Sequence, residues 1–171
     1  MEKSELHRIL DTQKKAHLKD GPLSLAQRKD WIDRLINSIV KYQKQLPEAI
    51  SEDFSHRSKT SSLLADVASS ITSLKIAKKN IKKWMKPSKR EVSPKILSFL
   101  GAKLRVEYQP LGTVGLISPW NFPVVLTFGP LGSIFAAGNR VMIKPSEFTP
   151  ITSELMKQMF KENFSEDEVA V

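Results

Sequence analysis

Three stretches of this 171-residue sequence set chemically useful side chains where the backbone would hold them still. The first is Pro119-Trp120-Asn121-Phe122-Pro123. Its two prolines fix φ and restrict the residues before them, so the turn must be tight and irregular. A carboxamide held there, that of Asn121, can donate N–H without titrating. An acyl-transfer site needs such a donor where a carbonyl oxygen gains negative charge, and removing one typically costs about 3 kcal/mol of barrier. The competing reading is an asparagine that satisfies only its own loop. The second stretch is Lys144-Pro145-Ser146-Glu147, a cation and a carboxylate around a stiff turn. At a strand end the pair suits ribose hydroxyls, with the lysine in reach of a phosphate. As a surface ion pair it would be worth less than about 1 kcal/mol. The third is the run from Lys75 to Arg90, eight basic residues in sixteen with Trp84 the single aromatic. It reads as the solvated face of a helix or, alternatively, as a nucleic-acid-binding patch on a basic helical module.

What is missing narrows the chemistry. There is no cysteine, so the chain holds no disulfide, thiolate metal site or thiol nucleophile. His7, His17 and His56 stand far apart without carboxylate clusters and read as surface residues, and no metal site is expected. Gly112, Gly115, Gly129, Gly132 and Gly138 do not make G-x-G-x-x-G, so a strict search for the dinucleotide fingerprint fails. The net charge of +9 comes from residues 1–111, with 23 Lys/Arg against 12 Asp/Glu; residues 112–171 hold 4 against 6. The length suits one domain with a real core. The absence of a long apolar run or an apolar leader leads to the expectation of a cytoplasmic protein without a membrane partner.

The elements that would position these residues follow from periodicity. Thr113 to Ser118 is a short β-branched apolar run, expected to be a strand buried on both faces of a parallel sheet. Val124 to Ala137 reads as a helix ended by Gly138-Asn139, and Arg140 to Ile143 as a second buried strand. This strand–helix–strand crossover sets the two polar turns side by side at the carboxyl edge, where open α/β sheets bind ligands. A helix from Thr149-Pro150 to Asn163, with Thr149 as N-cap, and a third strand opening at Glu168 are expected next. Earlier, helices are expected over residues 4–19 with Ser4 as N-cap, and over 24–46 with a Ser24–Gln27 capping box. A short helix from Pro47 to Phe54 and a long one over 60–85 follow. The long one should turn Leu64, Val67, Ile71, Leu74, Ile81 and Trp84 inward. Residues 87–101 read as an extended connector. Residues 103–109 alternate as a half-solvated antiparallel strand with Leu104, Val106 and Tyr108 on one side. The expected organisation is a helical segment over 1–86, a connector and bridging strand over 87–111, and an α/β unit over 112–171.

YQPLGTVGLIS at 108–118, PWNFP at 119–123 and AAGNRVMIKPSE at 136–147 resemble the aldehyde dehydrogenase superfamily, in particular its coniferyl-aldehyde-dehydrogenase branch. The resemblance implies an α/β fold: a partial NAD(P)-binding, Rossmann-like parallel sheet preceded by a helical segment, in a family that departs from the glycine fingerprint. It implies that Asn121 stabilises the substrate oxyanion, and that Lys144 and Glu147, with Pro145 and Ser146 between them, contact the adenosine ribose of NAD, NADP being admitted as well. Ile117, Ser118, Pro119 and Trp120 would line the nicotinamide side of the cleft. The strand at 103–109 would belong to a bridging sheet used in a homodimer. The family's nucleophilic cysteine and general-base glutamate lie beyond residue 171. The reading is therefore the N-terminal part of an NAD(P)-dependent enzyme that oxidises coniferyl aldehyde, or a related aromatic or aliphatic aldehyde, to the acid through a cysteine thiohemiacetal and thioester, with this fragment inactive by itself.

Overall fold

In a computed structural model, which describes residues 3–171, the chain opens with helices α1 (Lys3–Asp20), α2 (Leu25–Tyr42) and α3 (Gln45–Asp53). Helix α4 (Lys59–Ser62) runs through a π-helical segment, Leu63–Ala68, into α5 (Ser69–Trp84). Strand β1 (Ser88–Arg90), helix α6 (Lys95–Phe99) and strand β2 (Leu104–Val106) form a protruding ribbon. Then come β3 (Thr113–Ile117), α7 (Val125–Ala136), β4 (Arg140–Lys144), α8 (Pro150–Asn163) and β5 (Val169–Ala170). The sheet is parallel, in the order β3-β4-β5, with Thr113 opposite Arg140 and Ile117 opposite Lys144. The expected α/β architecture and its crossover are therefore present.

One core joins the helical segment to the sheet. Ile32, Leu35 and Ile39 of α2, Leu74 and Ile81 of α5, Phe128 and Phe135 of α7 and Met156 of α8 are all buried in it. Fully burying such a side chain is worth about 1.5–3 kcal/mol. Phe128 stacks on Phe160 with centroids 5.2 Å apart, and Trp31 meets Phe135 edge-on at 5.1 Å. Gly132 permits the close α5–α7 crossing: a Cβ there would lie 3.1 Å from that of Ala77. Helix α1 covers the other side of the sheet edge. Its buried Gln13 donates to the carbonyls of Val141 and Glu166, both at 3.0 Å. Arg140, at the start of β4, pairs with Asp20 at 2.5 Å and Asp167 at 2.9 Å, tying α1 to the turn before β5.

Local chemistry explains most boundaries. At α2, Ser24 Oγ accepts from the Gln27 amide at 3.3 Å and the Gln27 side chain accepts from the Ser24 amide at 2.9 Å, completing the expected capping box. Helix α7 ends at Gly138, whose φ of +84° is open to glycine. The buried guanidinium of Arg28 occupies the space beside it and donates to the Ala136 carbonyl at 2.8 Å.

Several expectations are corrected. β3 is not buried on both faces: it is an edge strand, and Ile117 is 79% exposed. α2 stops at Tyr42 rather than residue 46, α1 already includes Ser4 in its first turn, and α3 begins at Gln45, before Pro47. The long helix over 60–85 is interrupted by the π-helical segment, whose extra residue per turn sends Leu64 outward and Asp66 inward; Trp84, at the last turn, is also largely exposed. The stretch at 87–101 is not simply extended, since it contributes β1 and α6. In β2 neither side is buried, because among the described residues it pairs with β1 alone, with Lys89 opposite Arg105. His17 is not a plain surface residue: its ring packs against Gly112.

Candidate active site

β3 and β4 end together. The Ser118 amide donates to the Lys144 carbonyl at 3.0 Å, one step beyond the Ile117–Lys144 pair. From this locked edge the two polar turns leave side by side. In the first, the Ser118 hydroxyl is buried 2.9 Å from that of Thr127, which donates to the Pro123 carbonyl at 2.6 Å. These bonds fold the start of the turn back onto the first turn of α7. Pro119, Trp120, Asn121 and Phe122 remain exposed above it.

In the second turn, Lys144 pairs with Glu147, and both side chains face solvent, 60% and 68% exposed. Lys144 Nζ holds the Glu147 carboxyl below the usual carboxylate range. Ser146, by contrast, is built into the turn. Its hydroxyl accepts from the Phe148 amide at 3.2 Å, and its carbonyl accepts from Ser153 Oγ at 3.1 Å. An accessible ion pair on a hydrogen-bonded turn is well suited to hydrogen-bond a ligand's hydroxyls. Pro145 is half-buried beneath it.

Three residues at this edge carry no signal in sequence reasoning. Arg57 donates from Nη1 to the Asn121 carbonyl at 2.7 Å and lies over the rings of Phe122 and Phe54, 4.6 and 5.3 Å from the centroids. Phe54 in turn packs near Trp120, with centroids 6.2 Å apart. Asp66, fully buried, accepts on Oδ1 from the amides of Val124 and Val125 at 3.2 and 3.1 Å, and on Oδ2 from Arg57 at 3.3 Å. Burial raises its pKa, opposed by the bond from the Val125 amide, the positive charge of Arg57 and the bond from the Val124 amide. Asp53 caps α8 in the same way, accepting from the amides of Ile151 and Thr152 at 3.0 and 2.8 Å. This corrects the expected Thr149 cap: Thr149 makes no side-chain cap, and its hydroxyl turns to the Ser146 carbonyl at 3.4 Å.

Those two aspartates have a chemical consequence. The N-termini of α7 and α8 face the carboxyl edge, where a helix would ordinarily offer free amides and a positive dipole end to an anion. Here carboxylates from the helical segment already fill both positions. An anionic ligand at this edge must find its partners elsewhere, and Lys144 is the exposed cation closest in sequence to either strand end. The basic run at 75–90 lies on α5, on β1 and on the residues between them, with Lys78 held by Asp33 at 2.5 Å.

The sequence pattern of the aldehyde dehydrogenase family matches residues 1–170. Over 99% of its length the chain is 53% identical to a probable coniferyl aldehyde dehydrogenase of Caulobacter vibrioides, covering 35% of that protein. Over 96% it is 47% identical to the coniferyl aldehyde dehydrogenase of Pseudomonas sp. strain HR199, covering 33%. Among solved structures, the substrate-bound state of AldH from Staphylococcus aureus superposes on 97% of the chain with a TM-score of 0.89 at 28% identity, and the chain covers 35% of it. The chain thus spans about a third of the length of the relatives it matches. On the family pattern, and with a fold shared along nearly its whole length, the chain belongs to the aldehyde dehydrogenase family.

Proposed function

We propose that the protein containing this chain oxidises an aldehyde to the carboxylic acid with NAD or NADP as hydride acceptor, and that these residues form the amino-terminal part of its cofactor and oxyanion site. The observation that carries the reading is the adjacency of the two turns: strand ends bonded Ser118 to Lys144 set Asn121 and the Lys144–Glu147 pair on one edge. The names of the Caulobacter and Pseudomonas relatives favour coniferyl aldehyde or a related aromatic aldehyde as substrate.

In this reading the Asn121 carboxamide donates to the aldehyde oxygen and holds the charge that develops there. Lys144 and Glu147 bind the ribose hydroxyls nearest the adenine, with Pro145 and Ser146 stiffening the loop. Exposed Ile117, with Ser118, Pro119 and Trp120, bounds the nicotinamide side. The bound nicotinamide supplies hydride acceptance. With both crossover helices capped by aspartates, the cofactor's pyrophosphate is not held at either helix terminus, which accounts for the missing glycine fingerprint. A glutamate facing the ribose favours NAD over the 2′-phosphate of NADP. The thiol nucleophile and general base come from outside these 171 residues, which hold no cysteine. The ribbon of β1, α6 and β2, with Phe99 88% and Leu100 73% exposed, serves as a homodimer contact.

The test is turnover. A chain as long as the relatives, given coniferyl aldehyde and NAD, should produce reduced nicotinamide and coniferyl acid, and the 171-residue chain should produce neither. Turnover by the short chain, or none by the long one with any aldehyde, would overturn the proposal.

A further inference from the structure

The Asn121 turn is anchored from a distant part of the sequence. Trp120, Asn121 and Phe122 each meet the segment 54–57: Phe54 beside Trp120, the Arg57 guanidinium on the Asn121 carbonyl, and the same guanidinium over Phe122. The next residues with free amides, Val124 and Val125, are taken by Asp66. Asp66 divides its two oxygens, one to the start of α7 and one to Arg57. The Asn121 backbone is thus fixed on one side by Arg57 and on the other by a helix start that is fixed by Arg57's own partner. Arg57 is only 18% exposed and Asp66 not at all, so the pair sits in a weakly screened setting. The extra residue of the π-helical segment at Leu63–Ala68 is what turns Asp66 toward α7.

We infer that Arg57 and Asp66 are positioning residues for the oxyanion donor. They fix the main chain of Asn121 so that its carboxamide, which has no hydrogen-bond partner among the described residues, meets the substrate oxygen in one geometry. This rests on the role proposed above for Asn121. A displacement of about 1 Å in such a group can cost on the order of a hundredfold in rate.

The experiment is a double-mutant cycle in the full-length enzyme, with kcat and both KM values as readouts. Arg57→Ala should lower kcat by tenfold to a hundredfold, on the order expected for a misplaced group, and leave the NAD KM within about twofold of the unsubstituted value, the scatter expected of distant sites. In an Asn121→Ala background the same change should lower kcat hardly at all, because the group it positions is gone. Arg57→Lys should rescue only partly, since ammonium cannot bond Asn121 and Asp66 in the same fork. If Arg57→Ala lowers kcat equally in both backgrounds, or leaves it unchanged, the inference is overturned. If Asn121→Ala alone leaves kcat intact, the oxyanion role is what fails. Should Arg57→Ala not fold, Arg57→Lys and Asp66→Asn carry the same cycle. Amide exchange at Val124 and Val125 in the full-length enzyme gives a readout without catalysis: Asp66→Ala, which removes the acceptor of both amides, should speed it tenfold or more, and unchanged exchange would contradict the anchoring.

Discussion

The Ser118 amide donates to the Lys144 carbonyl at 3.0 Å, so the turn bearing Asn121 and the turn bearing Glu147 start from strand ends bonded to each other. One edge therefore carries two separable chemical features: a carboxamide above β3 and an ion pair above β4. The predictions below use that separation.

Lys144→Ala should raise the NAD KM of the full-length enzyme about tenfold, equivalent to about 1.4 kcal/mol, and leave kcat near its starting value. The lysine is exposed and its charged partner Glu147 stays solvated when it is gone, so thermal stability should hardly move. Steady-state kinetics with varied NAD, beside a melting curve, checks both.

Removing Asp66 should be costly. Asp66→Ala leaves two α7 amides without their acceptor and Arg57 without its carboxylate, and losing one partner of a buried pair typically costs about 3–5 kcal/mol. Because burial raises the Asp66 pKa, the folded chain holds that proton more tightly than the unfolded one. The pH-linked part of its contribution is therefore fullest below the ordinary value of 3.8 and is lost as pH rises through the folded value, while the bonds to Val124, Val125 and Arg57 remain. Asp66→Asn should flatten that part of the stability profile in urea titrations at stepped pH. An unchanged slope there would contradict the assignment.

Glu162 behaves in the opposite sense. Lys41, Gln158 and Tyr42 hold its pKa at about 2, below the ordinary 4.5. The unfolded chain takes up this proton first, so the stability that Glu162 lends is present above 4.5 and is lost as pH falls toward 2. Glu162→Gln should lower stability above pH 4.5 and converge on the unsubstituted chain as pH falls toward 2, so that its stability changes less across that window, read by circular dichroism.

Gly138→Ala should destabilise the chain by about 2 kcal/mol, since a left-handed conformation alone costs a non-glycine residue roughly 1–2 kcal/mol. A Cβ there would also stand 2.8 Å from Cζ of Arg28, whose guanidinium is fixed by the Leu23 and Ala136 carbonyls. Chemical denaturation measures the change. A shift under half that size would mean that Arg28 yields easily.

What the sequence disclosed, and what it hid, follows from the range of each interaction. The crossover from Thr113 to Lys144 was legible because apolar runs, two proline turns and Gly138 are local signals. So was the Ser24–Gln27 box. Asp66 was not, because its purpose depends on a π-helical segment and on amides 58 and 59 residues away. Arg57, in the polar stretch Ser55-His56-Arg57-Ser58, looks like any solvated loop cation until Asn121 is brought to it. The Thr149 cap was misread for the same reason, since Asp53 arrives from another helix to take the amides. Alternation in β2 was read as one-sided burial, yet a strand paired only with β1 has nothing to bury against.

The most direct measurement of the central claim is kcat of the full-length enzyme with Asn121→Ala. The account predicts a loss on the order of a hundredfold to a thousandfold, as for other oxyanion donors, with the NAD KM essentially unchanged. A variant that keeps its kcat, or that loses NAD binding instead, would show that Asn121 does not stabilise charge on the substrate.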